Sequence, residues 1–82
     1  MNEHKGFRIS IGDDSEHEDL TAEIYFQENF LALISQEGGF QNLDIQIYQH
    51  PKSAAWSFRL TDFIETVELA KKRLWEVRRQ GP

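Results

Sequence analysis

The sequence predicts an α+β fold: a two-layer sandwich in which an antiparallel β-meander of about five strands carries one C-terminal α-helix on one face. Apolar residues alternate with polar ones along several segments from Phe7 to Leu60, the period of strands with one buried face. From Phe63 to Val77 the apolar spacing changes to three and four residues, the period of an amphipathic helix. Because 82 residues have room for one core, we expect residues 1–82 to form a single domain.

Two predicted strands flank an acidic loop near the start of the chain. Phe7, Ile9 and Ile11 alternate with polar residues and predict the first strand. Residues 13–19 contain five carboxylates in seven positions, which repel one another and bury nothing, so we expect a loop there. Residues 20–27 alternate again and predict the second strand.

Three more strands are predicted at residues 30–34, 43–48 and 56–60, with turns rich in glycine or proline between them. The dipeptide Glu28-Asn29 predicts a tight hairpin turn between the second and third strands, because asparagine tolerates the positive φ that such turns need. Consecutive strands joined by short turns pair most simply as a meander.

The last quarter of the chain predicts the helix. Thr61 or Asp62 is a suitable N-cap, and acidic residues lie early in the helix with basic residues late, which suits the helix dipole. Its apolar stripe consists of Phe63, Val67, Ala70, Leu74 and Val77.

The alternation assigns side chains to the two faces of the sheet. We expect the face beneath the helix to carry the apolar set Phe7, Ile9, Ile11, Leu20, Ile24, Phe26, Leu43, Ile45, Ile47, Trp56, Phe58 and Leu60. The opposite face is expected to carry a polar set with two tyrosines: Arg8, Ser10, Thr21, Glu23, Tyr25, Gln27, Asp44, Gln46, Tyr48, Ser57 and Arg59. Tyrosines among acids on an open sheet face are typical of an interaction surface.

Charge is distributed unevenly along the chain. Residues 1–44 hold ten acidic and two basic residues, whereas residues 45–82 hold seven basic and four acidic residues, and the net charge is −5. This pattern is compatible with a charged binding surface. It is equally compatible with an acidic loop next to a helix whose basic end matches its own dipole.

Few chemistries remain open to this sequence. There is no cysteine, which excludes disulfides, thiolate metal sites and a cysteine nucleophile and is compatible with a reducing cytoplasm. The histidines are isolated, the acidic loop lacks the ligand register of an EF-hand, and no serine lies in a nucleophile motif. We therefore expect no metal, no cofactor and no enzymatic activity. We also expect no membrane segment, and no secretory signal is evident at the first residues.

Nucleic-acid binding is an alternative raised by the basic end of the helix, where Lys71-Lys72-Arg73 and Arg78-Arg79 flank Trp75. The net charge of −5 and the stabilising effect of bases in a last helical turn argue against it. We expect a protein partner instead.

Three stretches of the sequence carry a resemblance to a known group of proteins. They are residues 22–37, residues 42–48 and residues 56–60, followed by the helix. In pattern, size and acidity, residues 7–78 resemble the immunity proteins of contact-dependent growth inhibition systems. The resemblance implies a bacterial cytoplasmic inhibitor that binds a delivered toxin domain, often a nuclease, and masks its active site.

The resulting hypothesis is an immunity protein that neutralises a cognate toxin domain through an acidic surface. Carboxylates that attract a basic partner also substitute for phosphates. The alternative is a non-enzymatic structural or regulatory module, such as a homodimer joined through a sheet edge or Trp75. The expected partner-binding residues are Asp13, Asp14, Glu16, Glu18, Asp19, Glu23, Tyr25, Asp44 and Tyr48.

Overall fold

A computed structural model describes residues 3–13 and 19–80. It has an α+β fold with an antiparallel sheet and one C-terminal helix, and the strands follow one another in chain order. The elements are β1 (Glu3–His4), β2 (Phe7–Gly12), β3 (Thr21–Phe26), β4 (Asn29–Ser35), a short 3-10 helix (Phe40–Asn42), β5 (Asp44–Ile47) and α1 (Leu60–Gln80). Among the described residues, the sheet therefore has four strands of four or more residues in addition to the two-residue β1.

The prediction of a fifth strand at residues 56–60 is wrong. Residues 56–59 are in neither a helix nor a strand, and Leu60 is already the first residue of α1. The alternation there has another cause, because Phe58 enters the core from a loop, with its ring centroid 5.2 Å from that of Phe7 and 5.1 Å from that of Phe63. The helix therefore begins before the predicted N-caps, and the Phe63 amide donates to the Arg59 carbonyl at 3.1 Å.

The core lies where helix and sheet share buried residues. Ala70 and Leu74 of α1 belong to the same buried cluster as seven residues of β2, β3 and β4: Phe7, Ile9, Ala22, Ile24, Leu31, Ala32 and Ile34. Three of the twelve residues predicted for this face, Phe7, Ile9 and Ile24, belong to the buried cluster, and six more are partly buried against it: Ile11, Leu20, Phe26, Leu43, Trp56 and Phe58. Ile45 and Ile47 are exceptions, since they are 43% and 58% exposed. Leu60 is a third exception at 69% exposed.

The turn between β3 and β4 differs from the prediction by one residue. It consists of Gln27 and Glu28, which have φ values of 50° and 69°, while Asn29 is the first residue of β4. Positive φ at both central residues is the geometry of the tight hairpin turn whose twist matches that of the strands. Asn29 still supports the turn, because its Nδ2 donates to the Gln27 carbonyl at 3.3 Å.

A bulge in β4 determines which side chains reach each face. Ile24 of β3 pairs with Ala32 of β4, whereas the next residue, Tyr25, pairs with Phe30. Leu31 is therefore an extra residue of β4 that has no partner in β3. A bulge of this kind redirects the neighbouring side chains. Leu31 consequently joins the core, and Phe30 lies beside Tyr25 on the opposite face.

Candidate functional site

The candidate site is the face of the sheet opposite α1, here called the outer face. The strand register places Arg8 of β2, Tyr25 of β3 and Phe30 of β4 next to one another across the sheet. Tyr48 follows β5 directly, and its amide donates to the Leu31 carbonyl at 2.8 Å, which brings it beside Phe30.

These four side chains form a continuous row, here called the aromatic row. The Arg8 guanidinium carbon lies 4.1 Å from the centre of the Tyr25 ring. Ring centroids are 5.4 Å apart between Tyr25 and Phe30 and 4.8 Å apart between Phe30 and Tyr48. Tyr48 is 40% exposed, so the row presents aromatic surface to solvent. Such rigid rings provide contact area at a low cost in conformational entropy.

Hydrogen bonds fix the polar ends of both tyrosines. The Tyr25 hydroxyl donates to Glu23 Oε1 at 3.1 Å, and the Tyr48 hydroxyl donates to Gln46 Oε1 at 3.2 Å. Arg8 also lies near a carboxylate, with Nη2 3.7 Å from Glu28 Oε1. The aromatic row therefore contains one basic side chain, Arg8, which was not among the predicted site residues, and the carboxylates of Glu23 and Glu28 border it.

The backbone behind Tyr48 is supported by a second aromatic pair. Trp56 Nε1 donates to the Tyr48 carbonyl at 2.7 Å, and the His50 and Trp56 ring centroids are 4.4 Å apart. His50 Nδ1 accepts from the Lys52 amide at 2.9 Å. The loop after β5 is thus tied to the site through Tyr48.

The pKa of the Tyr25 phenol is raised above its ordinary value of 10.0, mainly because burial disfavours the phenolate and then because Glu23 accepts its proton in a hydrogen bond. Since the sequence has two tyrosines, an alkaline absorbance titration can follow both phenols. We expect Tyr25→Phe to remove the component that titrates above 10.0, and Glu23→Gln to move that component towards lower pH. A titration curve that Glu23→Gln leaves unchanged would contradict this assignment.

The predicted acidic residues that the structure describes gather towards one end of the sheet. Thr21 pairs with Gly12, which is followed by Asp13, while Asp19 precedes Thr21 by two positions. At the same end, Asp44 pairs with Ser35. All three aspartates are exposed. The predicted residues Asp14, Glu16 and Glu18 lie outside the described residues.

Glu23 connects this acidic end to the aromatic row. It pairs with Ser10 of β2 and Leu33 of β4, two residues along β3 from Tyr25. With a rise of about 3.3 Å per residue, the row lies about 13 Å from the acidic end along β2. The outer face thus combines an aromatic part and an acidic part within the reach of one partner domain.

Within residues 3–13 and 19–80, no three His, Asp or Glu side chains are placed to hold a metal ion. No helix in that part of the chain is long and apolar enough to cross a membrane. A cleft of about 670 Å³ is lined by Trp75, Phe40 and polar or glycine residues without a titratable side chain.

Comparisons with protein-family models, with curated proteins and with solved structures find no match to this chain. The structure brings Glu23, Tyr25 and Tyr48 together as the alternation predicted. Phe30 was missed, because only the bulge at Leu31 turns its ring to the outer face.

Proposed function

We propose that this chain is a non-enzymatic immunity protein, which binds and neutralises a cognate toxin domain through its outer face in the cytoplasm of the cell that makes it. The aromatic row is the observation that carries the proposal. An exposed tyrosine, Tyr48, in a row with a partly buried tyrosine, a phenylalanine and an arginine has the composition of interface residues that dominate binding energies.

Electrostatics favours a basic partner. The net charge is −5, and Asp13, Asp19 and Asp44 are exposed at one end of the sheet. Carboxylates arranged in this way attract a basic surface over a distance and raise the rate of encounter. A nuclease domain fits this chemistry, since its substrate site is built to bind phosphates.

The proposal also requires the outer face to be free of the protein's own elements. We propose that α1 and the sheet form two packed layers. The buried cluster that Ala70 and Leu74 share with β2, β3 and β4 supports this arrangement. In that arrangement the helix covers one face only, and the aromatic row lies on the other.

The test is co-expression of the full chain with the C-terminal domain of the protein encoded immediately upstream, with host growth and co-elution scored together. We expect the upstream domain to be toxic alone, and this chain to restore growth and elute with it as a stoichiometric complex. A toxic domain that this chain neither rescues nor binds would contradict the proposal. A binding partner without toxicity would favour the alternative, a regulatory interaction module.

A further inference from the structure

A second surface lies on the side of α1 that faces the β5 edge. Here the residues Leu60, Ile64, Glu68, Lys71 and Trp75 follow one another at spacings of four, four, three and four, so they share one side of the helix. We call them the helix stripe. Its apolar members are strongly exposed, with Ile64 at 51% and Trp75 at 43%. A partner that covered this side of the helix would bury both of these exposed side chains.

The apolar surface continues from the helix stripe to β5. A groove of about 300 Å³ lies between them, lined by Glu68 and Lys71 on the helix side and by Leu43 and Ile45 on the sheet side. No strand of the described residues pairs with the outer edge of β5. The strand sequence Asp44–Ile47 also lacks the lysine, proline or bulge with which exposed edges are usually protected.

The charge pattern of the helix stripe identifies the occupant. Two α1 helices can pack antiparallel to each other along the helix stripe, so that the point midway between Leu69 and Ala70 of one helix lies against the same point of the other. Each Glu68 then lies opposite the Lys71 of the other copy. In the same register, each Ile64 comes opposite the other Trp75. The interface therefore contains two Glu68–Lys71 pairs of opposite charge and two apolar Ile64–Trp75 pairs. Parallel packing would instead place Glu68 against Glu68 and Lys71 against Lys71, which is unfavourable.

We propose that a second copy of this chain docks on the helix stripe, forming a two-fold symmetric dimer through antiparallel α1 helices. The self-complementary pattern is what such an isologous interface requires. Neither Glu68 nor Lys71 has an ion-pair partner within 4.0 Å among the described residues, so both charges are free to pair across the interface. The outer face remains open in this dimer, so the inference does not depend on the proposed function.

The dimer is expected to be weak and dependent on concentration. A helix of 21 residues is about 32 Å long, and a contact strip about 10 Å wide along it is small for a stable interface. We expect a dissociation constant on the order of micromolar, because interfaces below about 1,200 Å² are typical of weak and transient complexes. Sedimentation of the full chain from about 1 to about 500 μM covers that range.

Charge reversal distinguishes a loss of dimerisation from a loss of folding, because a misfolded variant would not regain affinity when a second charge is reversed. We expect Glu68→Lys alone and Lys71→Glu alone each to raise the dissociation constant about tenfold or more, because like charges then face each other twice. An equimolar mixture of the two variants should recover the parent affinity as a heterodimer, since every facing pair is again of opposite sign. The double variant, Glu68→Lys with Lys71→Glu, should recover it as a homodimer.

Two further variants complete the experiment. Lys72→Glu changes charge on the same helix outside the helix stripe and should leave dimerisation unchanged. Ile64→Glu should leave the circular dichroism spectrum unchanged and keep the chain monomeric throughout the range. A parent protein that stays monomeric at the highest concentration would overturn the inference. So would a mixture of the two reversed variants that associates no more tightly than either one alone.

Discussion

Replacing Phe7 by alanine is expected to lower the free energy of unfolding by about 3–5 kcal/mol. Phe7 is fully buried, and its ring centroid lies 4.7 Å from that of Phe26 and 5.2 Å from that of Phe58. The ring thus joins β2, β3 and the loop before α1, and its loss leaves a cavity between three parts of the chain. A domain of this size has a total stability of roughly 4–12 kcal/mol, so the variant is expected to be unfolded or close to unfolding at 37 °C.

Chemical denaturation followed by the fluorescence of Trp56 and Trp75 would measure this loss. Phe7→Leu keeps most of the volume and should cost about 1–1.5 kcal/mol. Leu60→Ala removes an exposed side chain of similar chemistry and should change stability by less than about 0.5 kcal/mol. A Phe7→Ala protein within about 1 kcal/mol of the parent would mean that the aromatic cluster is not the centre of the core.

Much of the fold could be predicted because alternation reports which residues face a core. It located β2, β3, β5 and the helix, and it assigned Phe7, Ile9 and Ile24 to the buried face. Alternation does not report whether a backbone has a hydrogen-bonding neighbour. The segment with Trp56 and Phe58 therefore looked like a strand, although its side chains reach the core from a loop.

Other errors come from properties that no local pattern contains. The exposure of Ile45 and Ile47 arises because β5 is the last strand of the sheet, where α1 leaves them uncovered. The two-residue strand Glu3–His4 is too short and polar to show a period, and it is joined to β2 by the tight turn at Lys5 and Gly6, where both φ values are positive.

The candidate site was predicted in part for the same reasons. Glu23, Tyr25 and Tyr48 share a face because residues two apart on a strand point the same way. Phe30 required knowledge of the bulge, which shifts the pairing by one residue and exchanges faces. The pairing of Arg8 with Tyr25 depended on the register between β2 and β3, which the sequence leaves open.

The second large effect is expected on the outer face, where Tyr48→Ala should weaken binding of the proposed partner, the domain encoded immediately upstream, about 30-fold or more, a loss of about 2 kcal/mol. Tyr48 is 40% exposed, so its truncation should leave the fold intact. Tyr48→Phe keeps the ring against Phe30 and loses only the hydrogen bond to Gln46, and we expect it to retain most of the affinity. Calorimetric titration of each variant with that domain measures the difference.

Kinetics can separate the two parts of the outer face. Truncating an anchoring ring removes contacts of the formed complex, so Tyr48→Ala should act mainly by speeding dissociation. Reversing Asp13, Asp19 and Asp44 to lysine removes long-range attraction, so it should act mainly by slowing association at low salt, with a smaller effect as salt is raised. Ile64→Glu lies on the helix stripe and serves as the matched control for both. If Tyr48→Ala binds like the parent while Ile64→Glu does not, the partner docks on the helix side, and the aromatic row has no role in recognition.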